Sequence, residues 1–473
     1  MSISQATIYW VRRDFRLTDN AALTAAAARG AVVPVFVCDG LVESLGAAPK
    51  FRLELALKAF AADLEAVGSR LILRRGKALD VLRDVAQDSG ATSVFWNRLY
   101  DPASVERDTE IKAGLLSDGL VAESFAGALL FEPWTVQTKT GGPYRVYSPF
   151  WRAVRGNEVS SPKPRCRVLH APTRWPSTDA LERWGLSVEM GRGAKVVGQH
   201  VRAGEVAAQA RLSTFCDSLV VDYKAARDHL DVEATSELSD ALSLGEISPA
   251  QVWHAGQKCL HDGANGAEHF LKELVWREFA WHLMWHYPEI DTKNWRQEWD
   301  GFEWIEDANH PHYVAWCRGQ TGQPLVDAAM RELYVTGKMH NRARMITASY
   351  LTKHLGIHWR LGLRWFESCL VDWDPASNAM GWQWVAGSGP DAAPFFRIFN
   401  PETQAKNFDP KGRYREKWLP DQMFETSETA LQFYDAIPVS WDANLTMSDV
   451  TPIQGLADGR ARALAAYERL KSQ

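Results

Sequence analysis

Thr7-Ile8-Tyr9-Trp10-Val11 and Val32-Val33-Pro34-Val35-Phe36-Val37 are two short, nearly unbroken apolar runs. Such runs predict strands covered on both faces, as in a parallel sheet. Between them, Asn20–Ala28 reads as a helix capped by Asp19. Working outward, Phe51–Val67 reads as an amphipathic helix whose apolar positions belong to a core. Leu71–Arg74, Ser93–Trp96 and Val121–Phe125 read as further strands with helical stretches between them. This alternation predicts a doubly wound parallel sheet. The turn after the first strand is Arg12-Arg13-Asp14-Phe15-Arg16-Leu17, without a GxGxxG pattern, so the sheet is not read as a nicotinamide-dinucleotide domain.

The 473 residues exceed one ordinary domain. Residues 131–205 hold Gly141-Gly142-Pro143, Ser161-Pro162-Lys163-Pro164 and the glycines near Gly191–Gly198, and read as a connection. Residues 206–473 are helical in pattern. The expected fold class is an α/β N-terminal doubly wound parallel-sheet domain over 1–130, this linker, and a larger all-α C-terminal domain over 206–473.

Hydrophobic residues make up 46% of the chain, which excludes disorder. No apolar run is long enough to cross a bilayer, and Met1–Gln5 lacks a basic-then-apolar signal, so no membrane association and a cytoplasmic location are expected. Cys38, Cys166, Cys216, Cys259, Cys317 and Cys369 form no CxxC pair and read as free thiols; no metal site is expected. His282 and His286 are four apart, but Leu283 replaces the Glu of H-E-x-x-H, so a structural pair is the better reading. A net charge of −5 means that nucleic acid would have to meet a local basic patch.

Three helical segments carry unusual chemistry. In Glu273-Leu274-Val275-Trp276-Arg277-Glu278-Phe279, helical spacing puts Glu273, Trp276 and Arg277 on one face; taken alone, an amphipathic helix with a surface ion pair explains it better. In Met339-His340-Asn341-Arg342-Ala343-Arg344-Met345, Asn341, Arg344 and Met345 share a face, while Arg342 points elsewhere and suits a phosphate. A solvated basic face fits this segment equally well. In Asp372–Trp384, two acids, an amide and several indoles lie around Pro375 and Gly381, a mixture that favours a ligand site.

These segments resemble the photolyase/cryptochrome family over nearly the whole chain. Arg12–Asn20 resembles its opening strand and turn, and Thr235-Ser236-Glu237-Leu238-Ser239 its flavin phosphate loop. Trp276–Phe279, Met339–Arg342, Gly381-Trp382-Gln383-Trp384 and Phe396-Arg397-Ile398-Phe399-Asn400-Pro401 resemble its helical-domain motifs. The resemblance implies that the helical domain binds FAD. Tyr223 and Thr235, Ser236, Glu237, Leu238 and Ser239 would hold the pyrophosphate, although the family usually has a basic residue where Glu237 stands. Asp372, paired with Arg344, and Asp374 would contact the ring and ribityl region, with Arg277, Asn341, Phe366 and Trp373 around them. Asn378 would face flavin N5; photolyases keep an amide there.

The resemblance also implies a substrate: DNA containing cyclobutane pyrimidine dimers, opened by an electron from light-excited reduced FAD. Glu273 would hydrogen-bond the dimer, Trp276 and Trp384 would pack against it, and Asn341 and Met345 would complete the pocket. Arg227, Arg342 and Gln404 would contact DNA, and Trp382, Trp359 and Trp304 would carry electrons from the surface. Glu273 and Met345 stand where repair of (6-4) products uses Gln and His, which favours cyclobutane dimers. A second, antenna chromophore is expected in the N-terminal domain, a deazaflavin or a folate; Ala103-Ser104 stands where folate-carrying relatives often have Asn-Glu. A monomer is expected. The alternative is a cryptochrome, a blue-light receptor without repair activity; Asn378, Glu273 and the lack of a long tail after Gln473 count against it.

Overall fold

The computed structural model of the chain describes residues 6–391, 397–420, 426–441 and 451–472. Five strands, β1 (Ala6–Val11), β2 (Val32–Cys38), β3 (Ile72–Arg75), β4 (Ala91–Asn97) and β5 (Val121–Phe125), form a wholly parallel sheet in the order β3-β2-β1-β4-β5. Alternation along β1 sends Tyr9 and Val11 into one apolar cluster and Ile8 and Trp10 into another, so both faces are covered. Pro34 is tolerated because β2 pairs with β3 only from Val35 onward. From Glu205 on, the described elements are helices, and the expected fold class is what the structure shows.

Two local expectations are corrected. The helix Ala21–Arg29 is capped by Asn20, whose side chain accepts from the Leu23 N–H at 3.1 Å. Asp19, with φ at 51°, turns its carboxylate away to accept from the Ser248 hydroxyl and the Lys163 N–H. The next long helix starts at Ala47, not Phe51, because Pro49 lies within its first turn, where its missing N–H leaves no helical bond unmade.

The Arg12–Leu17 turn joins the two halves of the chain. Arg13 donates to the carbonyls of Ser243 and Trp373, Arg16 donates to the Gly245 carbonyl, and the Phe15 N–H donates to Leu244. At Gly245, φ is +66° and a Cβ would strike the Arg13 carbonyl, so this close approach requires glycine. Beside it, the fully buried Arg52 is ion-paired with Glu246 and, at 3.2 Å, with Asp240. Lys338 also reaches Asp240 at 3.2 Å.

Candidate active site

The helices Ala267–His286, Asn341–Ser349, Trp359–Cys369 and Pro375–Ala386 enclose a cleft of about 1250 Å³, counting its open mouth. Its wall includes Tyr223, Ser236, Leu238, Ser239, Glu273, Arg277, Asn341, Arg344, Met345, Phe366, Asp372, Trp373, Asp374, Asn378 and Trp382. The three helical segments singled out in the sequence thus converge on one cavity. Thr235, Glu237, Trp276, Trp384, Trp359, Trp304, Arg227, Arg342 and Gln404 lie outside its lining. Phe396 lies outside the described residues.

The two aspartates differ in what they leave free. Asp374 caps the helix Pro375–Ala386 by accepting from the Ser377 N–H at 2.8 Å, and its other oxygen accepts from Trp281 Nε1 at 3.0 Å. Asp372 accepts from Arg344 at 2.7 Å through Oδ2, while its buried Oδ1 has no hydrogen-bond partner among the described residues. A buried carboxylate oxygen without a partner, on a residue that lines a cavity, suits a donor on whatever fills that cavity. Asn378 donates to the Leu363 carbonyl at 3.1 Å. Burial pushes the Tyr223 phenol above its ordinary value, so it stays a protonated donor.

The phosphate-loop segment turns into the short helix Ser239–Leu244, with Glu237 in the left-handed region at φ 49°. Arg211, which the sequence did not single out, donates to the carbonyls of Thr235 and Ser236 at 2.8 and 2.9 Å and lies 3.9 Å from Glu237. A cation from another helix therefore braces the loop that carries Glu237.

At the mouth, Glu273 is ion-paired with Arg227, and Trp276 is stacked on Tyr147 with ring centroids 3.6 Å apart. Arg342 donates to Asp228 at 2.6 Å, and Gln404 has a buried Oε1 without a partner among the described residues. Trp382 packs against Phe366 and Trp316, and a Cβ on Gly362 would strike its indole. Trp359 is buried and donates to Asn294 at 2.8 Å; the His358 ring stands between it and Trp304, with centroids 5.5 and 5.4 Å away. Trp316 and the contact of His358 with Trp304 were not anticipated, since Trp316–Trp382 and Trp304–His358 are long-range pairs.

Two family models cover most of the chain: residues 7–167 match DNA photolyase, and residues 270–469 match the FAD binding domain of DNA photolyase. A deoxyribodipyrimidine photo-lyase of Agrobacterium fabrum is 44% identical, covering 100% of this chain and 99% of its own. The chain belongs to the photolyase/cryptochrome family. Among solved structures, a bacterial class III photolyase from Agrobacterium tumefaciens superposes with a TM-score of 0.91 at 44% identity, covering 99% of this chain and 98% of its own. A Synechocystis cryptochrome superposes with a TM-score of 0.84 at 26% identity, covering 98% and 100%. Among the described residues of this photolyase-family chain, no helix is long and apolar enough to cross a membrane.

A second cleft, of about 1710 Å³ with its open part, lies at the carboxyl ends of the strands, where open α/β sheets bind ligands. Trp10, Arg12, Arg107, Ala103 and Ser104 line it, and it shares Trp373 and Asn378 with the first cleft. The Arg12 and Arg107 guanidinium groups lie 4.4 and 4.9 Å from the Trp10 ring centroid.

Proposed function

We propose that this chain repairs cyclobutane pyrimidine dimers in DNA in a light-dependent reaction, with FAD held in the first cleft. The observation that carries the flavin reading is the Arg344–Asp372 pair with its unmet Oδ1, which suits the ring imide N–H of a flavin. Ser236, Ser239 and Leu238 line the end of the cavity where Arg211 holds the loop, and the loop's hydroxyls and N–H groups suit a pyrophosphate. Asn378, anchored through Leu363, presents a neutral amide towards N5 and adds no charge against a reduced anionic ring. When bound, reduced FAD supplies the light-excited electron that opens the cyclobutane ring and receives it back.

The protein's own groups select and orient the substrate. Glu273 faces the cavity from the same helix as Trp276 and Arg277 and stands ready to hydrogen-bond a dimer extruded from the duplex. Met345 and Asn341 close the pocket, Trp276 and Trp384 provide apolar faces near its mouth, and Arg227, Arg342 and Gln404 meet the backbone. Trp382, Trp359 and Trp304 are assigned to electron supply from the surface. The second cleft, lined by Trp10 and by the Ala103-Ser104 pair, is assigned to an antenna chromophore, a deazaflavin or folate. The wall that the two clefts share at Trp373 and Asn378 supports this reading, since an antenna must pass its energy to the flavin.

The test is to incubate the reduced protein with dimer-containing DNA under blue light and in darkness. Restoration of thymines in the light alone is expected; no restoration in either condition supports the cryptochrome alternative. Glu273→Ala is expected to lower repair yield about tenfold while dimer-DNA affinity stays within about twofold, because the lost hydrogen bond is partly offset by release of the cationic pair partner Arg227 at the rim. Yield per photon and a binding titration check this, and equal losses in both would remove Glu273 from its assigned role.

A further inference from the structure

The rim of the first cleft carries a chain of four alternating charges, one of which, Asp228, has no place in the repair reading. Glu273, in the cavity wall, is ion-paired with Arg227. Arg227 Nε lies 3.9 Å from Asp228 Oδ1, and Asp228 Oδ2 accepts from Arg342 at 2.6 Å. Arg342 also lies over the Phe408 ring, 4.4 Å from its centroid. The side chains of Arg227 and Arg342 are 11% and 17% exposed, whereas Asp228 is 36% exposed. Both arginines assigned to DNA are therefore already neutralised, and the most accessible charge between them repels phosphate.

We propose that Asp228 is a specificity-determining residue that couples occupation of the cavity to phosphate binding at Arg342. The inference rests on the repair reading. With the cavity empty of a base, Glu273 holds Arg227 and Asp228 holds Arg342, so undamaged DNA must break the Asp228–Arg342 pair to gain one phosphate contact. A dimer entering the cavity draws Glu273 to itself. Arg227 is then released, and closing the 3.9 Å gap lets it take Asp228, which frees Arg342 for the backbone. Sequence-independent affinity comes from such phosphate contacts, so withholding one of them until a lesion is seated suppresses binding to intact duplex. No proton or electron moves in this exchange of ion pairs.

The test measures binding of the FAD-loaded full chain to a defined duplex with and without one thymine dimer, at several salt concentrations. Asp228→Asn is expected to bind the undamaged duplex about two- to fivefold more tightly, with a salt slope steeper by about one, and to leave the dimer duplex unchanged. Asp228→Glu is expected to retain the wild-type preference, which a purely structural role would not require. The inference is overturned if Asp228→Asn binds undamaged DNA no better, or if both duplexes tighten equally, as simple removal of repulsion would give. A wild-type chain that binds both duplexes alike and repairs nothing in the light overturns the repair reading and, with it, this coupling.

Discussion

An Asp372→Ala variant is expected to hold FAD about a hundredfold more weakly than the wild-type chain. The side chain is buried, with one oxygen on Arg344 and the other without a protein partner. Removing it deletes the acceptor offered to the ring and also strands the Arg344 guanidinium, which keeps only its bond to the Met339 carbonyl. Arg344, 28% exposed, then keeps a charge that faces the flavin pocket without its carboxylate. Equilibrium dialysis against FAD measures the loss. Asp374→Asn serves as a contrast: its oxygens are already taken by Ser377 and Trp281, so a smaller loss is expected.

The second large effect concerns the joint. Arg52→Ala is expected to destabilise the fold by about 3–5 kcal/mol, because it leaves Glu246 buried without its guanidinium partner. Asp240 keeps Lys338 and suffers less. Burial alone would raise the Asp240 carboxyl, but Lys338 and Arg52 outweigh it and hold the group below the usual carboxylate range. The sign follows: this contribution is fully present above the ordinary aspartate value and is lost as pH falls through the depressed folded value. Chemical denaturation near neutral pH and at acid pH measures both, and the difference between wild type and variant should shrink in acid.

The five strands and their parallel pairing were legible because buried strands in a parallel sheet leave continuous apolar runs, with most ends moving by one or two residues. Asp19 and Asn20 are both good caps by residue type, and the choice between them depends on Ser248, far along the chain. Helical spacing put Asn341, Arg344 and Met345 on one face, with Arg342 elsewhere, as they stand in the cavity lining, but spacing alone left a solvated face open, and only the family resemblance joined the segments into one cavity. Long-range pairing was legible only where the resemblance implied it, as for Arg344 and Asp372. Arg52 sits among apolar positions of an amphipathic helix, and its sequence neighbours give no sign of Glu246. Arg211, Asp228 and His358 likewise gain their places only when distant helices meet. Gly362 is a further case: nothing local marks it, yet a methyl group there would displace Trp382.

The most direct measurement is the flavin content of the purified chain, read from its absorption spectrum and from the nucleotide released on denaturation. One FAD per chain, retained through gel filtration and largely absent from Asp372→Ala, is the result these residues require. A colourless protein that takes up no FAD when it is supplied would contradict the assignment of the helical cavity.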